Sequence, residues 1–138
     1  MDYGYLLTPL LGWFAAGTIK FLINSVRSRR LAFDLIGYGG MPSTHSAVVT
    51  GTTVLIALRE GIGHPAFAAA FTLLFIVILD ASSLRRQVGH HAAAINTLLQ
   101  DQPHHAPLRE RMGHSKLEIV AGIVVGIAVA VAVRAVTA

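Results

Sequence analysis

LEIVAGIVVGIAVAVAV, residues 117–133, decides what kind of protein this is. Its one charge, Glu118, stands at the start, and every residue after it is apolar or glycine. A helix needs about 20 apolar residues to cross a bilayer, and this run approaches that length with a few flanking residues added. Three further apolar stretches precede it: 6–26, broken by Lys20 and Asn24, then 46–58, then 65–79. The middle two are short by that rule and reach it only if their polar ends, 42–45 and 80–83, are helical too. A buried soluble hairpin is the competing reading. Four such stretches in 138 residues leave too little soluble chain to bury them.

Composition agrees. Apolar residues make up 54% of the chain and charged residues 13%, against about a quarter charged in soluble domains. The expected fold is therefore all-α, an integral membrane bundle of about four transmembrane helices, folded as a single domain over 1–138. The chain has no cysteine, which excludes a disulfide framework and a thiolate metal site. The net charge of +4 is read as membrane orientation and headgroup contact, with no nucleic-acid partner. Asp2 stands where a cleavable signal would be basic, so the whole chain is read as mature.

The connections divide by charge. Segment 27–41 is basic and glycine-rich, 59–64 is a tight turn, and 80–116 is long enough to need structure of its own. Within it, Leu84, Val88, Ala92, Ile95 and Leu99 recur at helical spacing, so 83–99 reads as an amphipathic helix lying at the interface. The first connection carries Arg27, Arg29 and Arg30; the third carries Arg85, Arg86, Arg109, Arg111 and Lys116; the second has only Arg59. The positive-inside rule puts the first and third in the cytoplasm, with both termini outside, as expected of an inner-membrane protein.

Alternating spans carry the end of the first, the start of the second, the end of the third and the start of the fourth to one membrane face. That face receives Lys20, Arg27, Pro42-Ser43-Thr44-His45, Asp80, Arg85, Arg86, His114 and Glu118. Lys20 and Arg27 are two helical turns apart on one face, the spacing also of simple snorkelling cations. Ser43, Thr44 and His45 follow a glycine hinge at a helix start, where free N–H groups bind anions or a hydroxyl merely caps. His114 and Glu118 are i and i+4, so a carboxylate can fix the imidazole tautomer and leave the other nitrogen basic, or the two form a surface ion pair. Asp80 can pair with Arg85 or Arg86 structurally, or hold an arginine fork for phosphate. His90-His91 and His104-His105 raise a metal reading, weakened because adjacent residues on a helix point to different faces. Gly122 and Gly126 form a helix-packing notch that also offers a homodimer contact.

These residues resemble the type 2 phosphatidic acid phosphatase superfamily, and more narrowly the small acid phosphatase/vanadium-dependent haloperoxidase-related family. The superfamily's first motif pairs a lysine with Arg-Pro after six intervening residues; Lys20 and Arg27 match it, with Ser28 in the proline position. Its second, Pro-Ser-Gly-His, is similar to Pro42-Ser43-Thr44-His45. Its third ends in His, three residues, Asp, resembled by His114 and Glu118. Arg109 lies one residue nearer the histidine than the motif's arginine, and Leu108 replaces its serine. Arg85 or Arg86 can serve that role instead. The resemblance implies that His114 attacks phosphorus, Glu118 orients it and His45 protonates the leaving oxygen. Lys20, Arg27, Ser43, Thr44 and an arginine among Arg85, Arg86 and Arg109 would hold the phosphoryl oxygens.

The expected function is then a membrane phosphatase acting on a lipid phosphate or diphosphate through a phosphohistidine, with no obligatory metal. A cytoplasmic site suits a newly made lipid phosphate such as phosphatidylglycerophosphate. Two other classes remain open on the residues alone. One is a non-catalytic membrane protein that binds anionic lipid through the same basic ring. The other is a hydrolase in which Asp80 and the histidine pairs hold Mg2+ or Mn2+.

Overall fold

The computed structural model describes residues 3–33, 40–102, 106–110 and 112–137. Among them the chain forms α1 (Gly4–Ser28), α2 (Thr44–Glu60), α3 (Pro65–Ser82), α4 (Leu84–Leu98) and α5 (Lys116–Val136), and no strand. The helix starts are written in local chemistry. The Ser43 hydroxyl accepts from the Ser46 N–H to open α2. His64 caps α3, with Pro65 in the first turn, where a missing N–H costs nothing. Ser115 and Glu118 form a reciprocal capping box that opens α5. At the other end of α2, Gly61 takes φ 84°, a conformation that favours glycine.

Helices α3 and α4 join at Ser83 into one 34-residue helical run. That run, α1 and α5 are each long and apolar enough to cross a membrane. At 17 residues, α2 is shorter and more polar. It is also the centre of the bundle, packed against α1, α3 and α5. Its polarity follows from that position, because its neighbours are protein rather than lipid. Thr53 bonds the Val49 carbonyl and also reaches the Ala70 carbonyl of α3. Conversely α3, which is far more apolar, exposes Phe71, Leu73, Phe75 and Ile76, as a lipid-facing helix should.

Small residues set the packing. On α1 the buried positions Gly4, Thr8, Gly12 and Ala16 recur every fourth residue. On α5 Gly122, Gly126 and Ala130 do the same. A Cβ on Gly126 would stand 2.6 Å from the Ala47 carbonyl oxygen, and one on Gly12 would stand 3.2 Å from it. Backbones approach this closely only where side chains are absent, which is how helices associate when lipid removes the hydrophobic drive between them.

Hydrogen bonds fix the directions. Lys20 near the end of α1 meets Thr44 at the start of α2, and the Ser43 N–H donates to the Glu118 carbonyl at the start of α5. At the opposite end, Tyr5 bonds Glu60 and Arg59 bonds Thr137. So α2 runs antiparallel to α1 and parallel to α5, and alternation brings the expected segments to one end. The amphipathic helix is present as α4, and of its periodic apolar positions only Ala92 is buried. Leu84, Val88 and Ile95 are exposed, while Gly89 and Ala92 are buried. The contact is a close backbone approach: the Glu110 carbonyl occupies the space a Gly89 Cβ would need.

Candidate functional site

The stripe of small residues on α1 continues at the same four-residue interval as Lys20 and Asn24. The helix face that packs on α2 therefore turns polar where it reaches the start of α2. A cavity of about 480 Å³ opens there. Lys20, Thr44, His45, Arg85, Arg109 and His114 all line it.

His114 is the most constrained of them. It is buried, and its backbone N–H donates to the Ala81 carbonyl at the end of α3, 3.0 Å away. The preceding Gly113 takes φ 89°, which swings the chain into the start of α5. Nδ1 of His114 lies 3.1 Å from Oε2 of Glu118. That same oxygen accepts the Ser115 N–H at 3.0 Å, so the capping box fixes the carboxylate before it meets the imidazole. With Nδ1–H donating to the carboxylate, Nε2 keeps a free lone pair. Burial pushes the His114 pKa below its ordinary value, against the opposing pull of the Glu118 hydrogen bond.

His45 faces His114 with ring centroids 6.3 Å apart. Arg85 Nη2 approaches His45 Nε2 at 3.4 Å. A guanidinium only donates, so Nε2 is the acceptor and His45 carries its proton on Nδ1. The other side of Arg85 meets Asp80, Nε to Oδ2 at 3.4 Å. Asp80 thus stands behind an arginine that faces the cavity. Lys20 Nζ donates to Thr44 Oγ1 at 3.2 Å.

The remaining residues singled out in the sequence lie elsewhere. Ser43 is fully buried and does not line the cavity; its hydroxyl caps α2 and accepts from the Ser46 hydroxyl at 2.9 Å. Arg27 and Arg86 are exposed and do not line the cavity. Of the three arginines left open in the sequence, Arg85 and Arg109 reach it. His90 and His91 are exposed on α4, and His104-His105 lies outside the described residues. Among the described residues no three His, Asp or Glu side chains gather as a metal site.

Two asparagines passed over in the sequence belong to the arrangement. Asn24 lines the cavity one turn beyond Lys20, and the four-residue interval was the signal that could have found it. Asn96 on α4 grips Leu108 from both sides, accepting its N–H and donating to its carbonyl, each at 2.8 Å. Its amide also reaches Glu110 at 2.8 Å. That clamp brackets Arg109, and no spacing in the chain announces it.

A sequence model of the Divergent PAP2 family matches residues 1–129. A membrane protein of Bacillus subtilis (strain 168), YuiD, described as uncharacterized, is 34% identical over 139 aligned positions spanning 88% of each chain. No solved structure matches the chain. A helical membrane bundle whose matched region takes in every residue of the cavity leaves one assignment: this chain belongs to the Divergent PAP2 family.

Proposed function

We propose that the chain is a membrane phosphatase that hydrolyses a lipid phosphate or diphosphate through a phosphohistidine on His114, at the cytoplasmic face of the inner membrane. One observation carries the reading: two imidazoles 6.3 Å apart flank a single basic cavity, one of them backed by a carboxylate. That separation suits one tetrahedral phosphoryl group between them, with a nucleophile on one side and a proton donor on the other.

The steps follow from the groups present. Lys20, Arg85 and Arg109 neutralise the phosphoryl oxygens, and Thr44 adds a hydroxyl. Phosphoryl transfer asks mostly for such positioning and charge. A phosphate that draws Arg85 toward itself releases His45 Nε2, which then takes a proton from solvent. His114 Nε2 attacks phosphorus and the P–O bond to the lipid breaks. His45 gives its proton to the leaving oxygen, and Glu118 stabilises the positive charge growing on the His114 ring. Water, deprotonated by His45, then attacks phosphorus; the N–P bond breaks, and phosphate leaves. Placement on the cytoplasmic side rests on the arginine-rich connections at this end of the bundle.

Purified protein in detergent, offered a panel of lipid phosphates and diphosphates, is expected to release inorganic phosphate. His114→Ala should reduce release to background, and His45→Ala should slow it by about 10²–10⁴-fold, the usual worth of a general acid–base. Full turnover in His114→Ala would end the phosphohistidine mechanism. Loss of activity to a chelator, restored by Mg2+, would favour the metal-dependent reading.

A further inference from the structure

The polar end of the cavity has a role in this reading, but the other end does not. Away from Lys20 and His45, toward the middle of the bundle, the walls become apolar: Trp13 and Gly17 from α1, Val48 and Val49 from α2, Val77 from α3. Because α1 and α2 are antiparallel, descending numbers on α1 and ascending numbers on α2 both lead deeper into the membrane. Helices α1 and α3 each pack on α2, yet among the described residues they do not pack on one another. The cavity therefore has α2 as its floor, α1 and α3 as its sides, and an opening between those sides. Trp13 lines the cavity and is itself exposed, and α3 exposes an apolar surface of Phe71, Leu73, Phe75 and Ile76. A gap between two such helices opens on acyl chains rather than on water.

Gly17 marks the trough as space kept open. A Cβ built there meets no atom within 4 Å. Gly12, by contrast, is held to glycine by the Ala47 carbonyl. Glycine in a helix interior costs stability relative to alanine. At Gly12 close packing offsets that cost; at Gly17 nothing in the packing does, and what the glycine leaves is room in the wall. Resting on the phosphatase reading of the polar end, we infer that the trough between α1 and α3 seats one hydrocarbon chain of the lipid phosphate. The chain enters sideways from the bilayer, and Gly17 sets the room available to it.

The test is the ratio of kcat/KM for a long-chain phosphatidic acid to that for a water-soluble phosphomonoester. Gly17→Leu fills the trough without altering a group that touches phosphate. It should lower the ratio by about ten-fold or more, the scale on which apolar pockets discriminate methylenes. Gly63→Ala, in the turn at the far end, also adds a methyl into open space and should leave the ratio unchanged. An unaltered ratio in Gly17→Leu would overturn the inference. If the wild-type protein releases no phosphate from either substrate, the phosphatase reading fails and binding decides the trough separately. Trp13 is the chain's one tryptophan. A phosphatidic acid with brominated chains should quench it saturably in detergent, more than brominated phosphatidylcholine does, and Gly17→Leu should abolish the difference. Equal quenching by both lipids, or quenching indifferent to Gly17→Leu, would overturn the trough.

Discussion

At the scale of single residues, His114 shows how a backbone can prepare a nucleophile. The Ala81 carbonyl fixes its main chain, Glu118 fixes its tautomer, and the protein around it removes water. Burial holds its pKa below the ordinary 6.5. The sign follows directly. The neutral ring is the nucleophile, so it persists to lower pH than a free imidazole would allow, and the acid limb of kcat/KM should fall below pH 6.5. Glu118 opposes that shift, so Glu118→Gln should move the limb to still lower pH while reducing kcat by about 10²-fold or more, as expected when a developing charge loses its partner. A limb that moves upward in Glu118→Gln would contradict this role. The His114–Glu118 pair was legible in the sequence because i,i+4 geometry is local. The choice among Arg85, Arg86 and Arg109 was not, because it depends on the α3–α4 junction at Ser83 and on the Asn96 clamp. Ser43 illustrates the same limit: its position at a helix start was readable, but a buried cap and a phosphate ligand share one sequence signature.

At the scale of elements, apolar runs located α1, α2, α3 and α5 to within a few residues, though only α1, the α3–α4 run and α5 are long and apolar enough to cross a membrane. The runs did not say which span lies at the centre. The shortest and most polar, α2, takes that place, since a helix surrounded by helices is released from the need to match lipid. Small residues carry the contact. On α5, Gly122 lies so close to the start of α2 that an added Cβ would overlap the Ser43 carbonyl and stand 2.9 Å from the Ser46 Cβ. Both neighbours are buried, so neither can yield easily. Gly122→Leu should therefore destabilise the bundle by about 1–3 kcal/mol or more, the cost of overpacking a tight core. It should also separate the Ser43 cap from the Glu118 carbonyl it bonds. Thermal unfolding in detergent reads the first effect. A melting temperature equal to that of the wild type would mean that α2 and α5 are not this close.

At the scale of the whole molecule, one end of the bundle gathers most of the positive charge. Arg27, Arg29, Arg30, Arg85, Arg86, Arg109 and Lys116 belong to connections at the cavity end, while Arg59 and Arg134 lie toward the other. Positive residues flanking short loops favour the cytoplasmic side during insertion, so Arg85 and Arg109, which line the cavity, would serve both to neutralise a phosphate and to set which side of the membrane meets it. The two roles can be separated because the chain has no cysteine of its own. Leu31 beside the cavity end and Ile62 in the opposite turn are both exposed, and each can be changed to cysteine without removing a charge. A membrane-impermeant maleimide applied to spheroplasts should label Ile62→Cys directly and Leu31→Cys only after permeabilisation. The reverse pattern would leave the cavity intact but turn it outward, where its substrates would be lipids already carried across the membrane.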